Sequence, residues 1–102
     1  MITVKYDPDG FGIEIKGHAG YGPPGQDIVC AAVSILGQTL AKCVEEHALG
    51  LAEPPQIDLS GGLLVRCAPR PEYADVIEEL FWFAFCGLEM LSEQYPQCVR
   101  IL

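Results

Sequence analysis

Residues 2–16 read Ile-Thr-Val-Lys-Tyr-Asp-Pro-Asp-Gly-Phe-Gly-Ile-Glu-Ile-Lys, and they begin the fold with a β-hairpin. Apolar and polar residues alternate over 2–6 and again over 11–16, which is the period of a half-buried strand. The stretch Asp7-Pro8-Asp9-Gly10 between them has the composition of a turn. We therefore expect two antiparallel strands, with Ile13 and Ile15 on one face.

A glycine-rich loop and a helix follow the hairpin. The loop reads Gly-Tyr-Gly-Pro-Pro-Gly at 20–25 and can continue neither a strand nor a helix. From Asp27 to about Leu49 the pattern is helical, with Asp27 as a plausible N-cap and Gly50 as a plausible C-terminal stop. A helical wheel gives a broad apolar stripe of Ile28, Ala32, Ile35, Leu36, Leu40 and Cys43. Off the edge of that stripe lie Cys30, Ser34, Gly37 and Ala41.

The second half of the chain repeats the order of hairpin and helix. Gln56–Leu59 and Leu63–Cys67 are expected to pair across a turn at 60–62, and a helix is expected from Pro71 to about Gln94. Its apolar stripe comprises Tyr73, Val76, Ile77, Leu80, Ala84, Leu88 and Leu91. Trp82 and Phe85 point away from this stripe. They could be additional core residues or line an apolar substrate pocket, but the interpretation we put first is a dimer contact.

Pro96 ends the second helix, and residues 98–102 are expected to form a last short strand. The order ββαββαβ predicts an α+β fold in which a mostly antiparallel sheet packs with two helices. A chain of 102 residues is long enough for one core, so residues 1–102 are expected to form a single domain.

The composition excludes several classes of function. A formal net charge of −8 argues against direct binding of nucleic acid, which normally requires a basic patch, and favours basic partners. Five cysteines, an odd number without a C-x-x-C pair, together with an N-terminus unlike a signal peptide, predict reduced thiols in the cytoplasm. The longest apolar stretches, 28–36 and 80–91, are expected to be too short to span a membrane.

Candidate chemistry is concentrated between residues 17 and 34. His18 ends the second strand and Cys30 opens the first helix, where backbone N–H groups and the helix dipole favour a thiolate and an imidazole can take its proton. A buried structural cysteine and an inert histidine are the alternatives. Asp27 is interpreted as the helix cap, although it could instead orient His18. Cys43 and His47 share a helix face, but without two further ligands they do not predict a metal site.

Two adjoining motifs in this segment, Gly17–Tyr21 and Gly25–Ser34, resemble the ribosomal-processing cysteine protease family called Prp. The resemblance implies a homodimeric cytoplasmic endopeptidase that needs no cofactor or metal, with His18 and Cys30 as its catalytic dyad. It implies as substrate the short, apolar N-terminal extension of a large-subunit ribosomal protein (L twenty-seven). Asp27 and Ser34 match family positions and are expected to support the site. The pair Pro23-Pro24 departs from the family's loop and stiffens it.

Residues 19–26 are expected to form a lid over the cleft, with Gly20, Gly22 and Gly25 as hinges. Backbone N–H groups at the helix start, that of Cys30 among them, are expected to hold the oxyanion. Two other functions compete with proteolysis. A non-catalytic ribosome-assembly factor would hold a basic ribosomal protein on its acidic surface, and a thiol acyltransferase would need a second pocket for an acceptor.

Overall fold

A computed structural model describes all residues from 1 to 102. Five strands form one sheet in the order β3-β4-β2-β1-β5, in which every neighbouring pair is antiparallel except β1 and β5, which are parallel. The elements are β1 (Ile2–Asp7), β2 (Gly12–Gly17), α1 (Ile28–Glu46), β3 (Gln56–Asp58), β4 (Leu63–Arg66), α2 (Ala74–Gln94) and β5 (Val99–Ile101). The fold is α+β, as the sequence predicts.

The sheet has one face covered by the helices and one face open to solvent. Val4 pairs with Ile15 and Ile13 with Val65, so the alternating residues of three strands point into the same core. The β1–β2 turn is held by Asp7, whose carboxylate accepts a hydrogen bond from the Gly10 N–H at 3.1 Å. Both hairpins therefore lie where the alternation and the turn residues predict them.

Helix α1 differs from the prediction in its end and in its buried face. It ends at Glu46 rather than near Leu49, and a 3₁₀ turn over Ala48–Gly50 replaces the last helical turn. The residues buried against the sheet are Val29, Val33, Gly37, Leu40, Ala41 and Val44. Ile28 and Ile35 of the predicted stripe are exposed, since the helix turns its smaller residues to the sheet.

The reason lies in the sheet that α1 covers. Gly37 packs so closely on the Leu63 and Ile15 side chains that a β-carbon there would contact the Leu63 methyl at 2.8 Å. A close approach of helix and sheet requires a small residue between them, and Gly37 provides it. The helical wheel gave one apolar stripe with small residues off its edge, but it could not tell which side of the helix meets the sheet.

Helix α2 also buries a different set of residues from the one predicted. Phe81 and Phe85 lie in the core with Ile77, Ala84 and Leu88, whereas Tyr73 and Val76 are largely exposed. The expectation that Phe85 forms a dimer contact is wrong, because its ring is stacked on Tyr6 of β1 with centroids 4.6 Å apart. Trp82 remains half exposed and Phe83 is 81% exposed.

Helix α1 is also longer than the apolar run 28–36 indicated. An 18-residue window of this 19-residue helix has a mean hydropathy of 1.5, which is enough by length and composition to cross a membrane. Core helices and N-terminal signal sequences meet the same criterion, so a single helix of this kind is weak evidence for a membrane span.

Candidate active site

The end of β2 turns sharply at the segment that carries His18. Gly17 has a φ of 95°, and a β-carbon at this position would collide with the carbonyl oxygen of Met1. Gly20, with a φ of 68°, turns the chain again two residues after His18. Between these turns Ala19 is buried, with 4% of its surface exposed, and anchors the segment in the core. The two glycines are therefore required to place His18 and Ala19 at the mouth of the sheet.

The start of α1 is organised by the carboxylate of Asp27. One oxygen accepts hydrogen bonds from the N–H groups of Val29 and Cys30, both at 3.0 Å, which makes Asp27 the helix cap. The other oxygen accepts from the N–H groups of Tyr21 at 3.0 Å and Gly22 at 3.2 Å. These bonds, led by that from Cys30, hold the pKa of Asp27 below its usual value.

Asp27 is thus a cap and a loop anchor at once. Its carboxylate oxygens are occupied by four main-chain N–H groups, and the His18 ring makes no hydrogen bond to them. The interpretation of Asp27 as a cap is confirmed, and the contact with the glycine-rich loop is an addition that the sequence did not indicate.

A cleft of about 330 Å³ lies between the end of β2 and the start of α1. His18 lines one side, and Cys30 lines the other together with Ser34, one turn further along α1. The remaining lining residues are Ile2, Ile15, Gly17, Val33, Gln38, Leu59, Gly62 and Leu63. The structure therefore brings three of the predicted site residues into one cavity that apolar and polar residues line together.

The sulfur of Cys30 accepts a hydrogen bond from the main-chain N–H of Ala19 at 3.3 Å. His18 is exposed, and its ring makes no hydrogen bond with the thiol in this conformation. A thiol and an imidazole that line one cleft, with an N–H donor at the sulfur, are the kinds of group that acyl transfer uses.

The loop glycines lie outside this cleft. None of Gly20, Gly22 and Gly25 lines it, and the loop instead rests on the end of α2, where the Tyr21 and Tyr95 rings meet edge to face at 5.3 Å. Gly20 and Gly25 have positive φ angles, whereas Gly22 does not. The loop is bound to Asp27 and packed on Tyr95 in this structure.

One wall of the cleft was missed by sequence reasoning. Leu59, Gly62 and Leu63 of the β3–β4 hairpin also line the cleft, although they are far from residues 17–34 in the chain. No local pattern could have identified them. Gln38 could have been found, because it lies two helical turns after Cys30, on the same side of α1 as Ser34.

The other cysteines and the second histidine lie away from the cleft. Burial raises the pKa of Cys67 to about 11. His47 bonds through Nδ1 to the carbonyl oxygen of Cys43 at 2.7 Å. All five thiols are free, and no group of three or more His, Cys, Asp and Glu side chains is arranged to hold a metal ion.

The family model described as cysteine protease Prp matches residues 1–100. The chain belongs to the Prp family. The match covers nearly the whole domain, so the resemblance seen in residues 17–34 extends to the fold, and the protein is a cysteine protease.

Two solved structures of similar proteins cover the chain almost completely. The essential ribosomal processing protease Prp from Staphylococcus aureus, in complex with a covalently linked product peptide, is 28% identical with a TM-score of 0.70, and the alignment covers 99% of this chain and 97% of that one. SMU.848 from Streptococcus mutans is 29% identical with a TM-score of 0.69 and coverage of 100% and 94%. No curated protein sequence gave a significant match.

Proposed function

We propose that Cys30 is the nucleophile and His18 the general base of this protease. The observation that carries the proposal is their placement in one cleft, with the Ala19 N–H directed at the Cys30 sulfur. Cys30 is in the first turn of a capped helix, where the dipole favours negative charge on sulfur. Because the His18 ring is exposed and unbonded, it is free to rotate toward the thiol when a peptide fills the cleft.

The reaction would proceed in two acyl-transfer stages. The Cys30 thiol gives its proton to His18, and the sulfur attacks the carbonyl carbon, so that a C–S bond forms and the carbonyl π electrons move to oxygen. Collapse restores the carbonyl and breaks the C–N bond, while the protonated His18 gives its proton to the leaving amine. Water, deprotonated by His18, then attacks the thioester and releases the acid and the thiol.

The substrate we propose is the N-terminal extension of a large-subunit ribosomal protein (L twenty-seven). The relative from Staphylococcus aureus is a ribosomal processing protease, and it has been captured with a covalently linked product peptide. The cleft is lined in part by the apolar side chains of Ile15, Leu59 and Leu63, which can contact an apolar segment. The net charge of −8 suits the basic body of a ribosomal protein. The five free thiols are consistent with action in the cytoplasm.

Incubation of the purified protein with the ribosomal-protein precursor, followed by mass spectrometry, tests this proposal. We expect one cut within the extension, no cutting by Cys30→Ala and at most a few per cent of the rate with His18→Ala. Cys98→Ala and His47→Ala are the matched controls, because both residues lie outside the cleft and outside the groove between the helices. Binding of the precursor without cutting would favour the assembly-factor alternative. Equal loss in His18→Ala and His47→Ala would contradict the dyad.

We also propose that the protein acts as a homodimer through the outer surface of its helices. A groove of about 340 Å³ between α1 and α2 is almost entirely apolar, and Ile35 and Phe83 on its rim are 63% and 81% exposed. Trp82, the preceding residue of α2, is 49% exposed and lines a separate pocket with Tyr6, Pro8, Glu78 and Glu79. Large exposed aromatic residues on one surface are typical of an interface between subunits.

Light scattering of two charge variants tests the dimer. Phe83→Glu and Trp82→Glu should give monomers, because they bury a charge in the proposed interface. Leu49→Glu is the control, since Leu49 is equally apolar and 92% exposed but lies outside the groove. A dimer that persists in both helix variants would place the interface elsewhere.

A further inference from the structure

The Cys30 N–H is the donor that the sequence suggests for the oxyanion, but it already donates a hydrogen bond within the protein. It donates to Asp27 at 3.0 Å, and the neighbouring Val29 N–H donates to the same carboxylate oxygen. A group that donates to a carboxylate cannot be released without leaving that charge short of a partner. The expectation that the Cys30 N–H holds the oxyanion is therefore not supported by the geometry.

A different main-chain donor points at the reacting atom. The Ala19 N–H lies 3.3 Å from the Cys30 sulfur, and no other main-chain N–H donates to this sulfur. Its direction is fixed by the two turns at Gly17 and Gly20 and by the buried Ala19 side chain. This donor is therefore in place before substrate arrives and requires no rearrangement to act.

We propose that the Ala19 N–H is the oxyanion donor of this protease. The Cys30 N–H does not take this role, because it donates its hydrogen bond to Asp27. The inference rests on the proposed function, in which Cys30 attacks the scissile carbonyl. When the C–S bond forms, the carbonyl oxygen becomes negative one bond beyond the carbon attached to sulfur. An N–H that hydrogen-bonds to the free sulfur then needs only a small turn to donate to that oxygen.

Ala19 follows His18 directly in the chain. The base and the oxyanion donor are consecutive residues of one rigid segment, so they approach the scissile bond together. Asp27 acts on the opposite side, where it holds the α1 start and the loop by four N–H groups. Asp27 is thus a positioning residue, and the Ala19 main chain is the catalytic group.

Replacing the Ala19 amide with an ester tests the role of the N–H without changing the side chain. A synthetic segment of residues 1–29 with L-lactate at position 19 can be ligated to residues 30–102 through Cys30, which leaves the rest of the chain native. An all-amide ligation product is the first control. A second carries an ester at Asp9, a turn residue away from the cleft whose N–H makes no hydrogen bond.

We expect the ester at 19 to lower kcat for peptide cleavage by about 10²–10³-fold with little change in KM. Alkylation of Cys30 by iodoacetamide forms no oxyanion, so the rate of alkylation should fall much less than kcat. An equal fall in both rates would show that the N–H serves only the sulfur, and a cleavage rate within threefold of the control would show no role. Either result overturns the inference alone. An all-amide product that does not cut the peptide overturns the proposed function as well.

Nuclear magnetic resonance of the unaltered chain provides a second test that does not depend on folding of the ester variant. A peptide aldehyde forms a hemithioacetal with the Cys30 sulfur whose oxygen occupies the oxyanion position. In protein labelled with ¹⁵N, the Ala19 amide proton should move downfield more than the Cys30 amide proton. A larger shift at Cys30 would assign the oxyanion to the helix start and contradict the inference.

Discussion

The two helices of this protein begin in different ways. Helix α1 begins at Asp27, whose side chain accepts hydrogen bonds from two N–H groups of the first turn. Helix α2 has no side-chain cap; a 3₁₀ turn over Pro71–Tyr73 leads into it, and Asp75 in its first turn makes no hydrogen bond to the backbone. Helix α2 is fixed instead by the core contacts of residues such as Ile77 and Phe81.

The difference shows what each helix start does. Packing alone suffices to hold α2, since Pro71 already removes one donor and the dipole interacts favourably with Asp75. The start of α1 also packs Val29 into the core, but it carries Cys30 and must in addition be joined to the glycine-rich loop. A single carboxylate makes that connection, since it binds the first turn of the helix and the loop at Tyr21 and Gly22. The part of the molecule that carries Cys30 therefore adds polar contacts to buried area, whereas the start of α2 has no side-chain cap.

The largest difference that this comparison predicts is in thiol reactivity. If the α1 start is organised for chemistry, iodoacetamide at mildly acidic pH should label Cys30 before the other four cysteines. Cys67 is the sharpest contrast, because its pKa of about 11 leaves only about 10⁻⁴ of it as thiolate at pH 7. Peptide mapping after brief labelling measures the ratio of labelled Cys30 to labelled Cys67, which should exceed about 10². Equal labelling of several thiols would contradict the special position of Cys30.

Next in size is the effect of removing each acidic residue from its helix start. Asp27→Ala should lower the rate of cleavage by about 10²-fold, because Cys30 and the loop lose their common anchor. It should also lower the free energy of unfolding. Asp75→Ala is the matched control and should leave the rate within twofold. An Asp27→Ala variant that is less stable but fully active would show that the carboxylate is only a cap.

Asp27→Asn separates the two functions of the carboxylate. One amide oxygen can still cap Val29 and Cys30, but the NH₂ group cannot accept from Tyr21 and Gly22, so the loop should be released while the helix stays capped. We expect a smaller loss of rate than in Asp27→Ala. Faster hydrogen exchange at 20–26, with protection of the first turn of α1 unchanged, would demonstrate the separation. Identical exchange in the wild type and this variant would contradict it.

We also expect the stability difference between the wild type and Asp27→Asn to depend on pH. The pKa of Asp27 is lowered in the folded protein, so the carboxylate stabilises the fold at pH values above its ordinary pKa of 3.8, and this contribution is lost as the pH falls through the lowered value. Asp27→Asn lacks that group. The difference in unfolding free energy between wild type and variant should therefore be largest above pH 5 and shrink on acidification. A constant difference would show that the charge contributes nothing.

These regions also differ in how far the sequence predicts them. The hairpins and the Asp27 cap follow from local patterns, because alternation, turn residues and capping act over a few residues. The buried face of α1 could not be predicted, since Leu63 and Ile15 decide it from other strands. The wall at Leu59 and the bond from Ala19 to the sulfur depend on the same long-range packing.

The smallest predicted effect concerns the loop that Asp27 anchors. Gly25 has a φ of 82° and open space around it, so Gly25→Ala tests backbone conformation without a steric clash. The left-handed conformation costs an alanine about 1 kcal/mol. We therefore expect Gly25→Ala to be about 1 kcal/mol less stable than the wild type. Cleavage should be severalfold slower, because a strained loop closes less readily over a bound peptide.

Gly61→Ala is the control for this last comparison. Gly61 also has open space around it and lies in an exposed turn, but its φ is not positive, so alanine there is compatible with the backbone and should be neutral or slightly stabilising. Thermal unfolding and cleavage rates of the two variants separate strain in the loop from the general effect of a methyl group. If both variants lose the same small amount of rate, the conformation of the loop does not limit catalysis and the glycine-rich loop at 20–26 is not a lid. If only Gly25→Ala is slowed, and hydrogen exchange at 20–26 slows when a peptide aldehyde binds, the loop moves over the substrate from the position that Asp27 and Tyr95 hold.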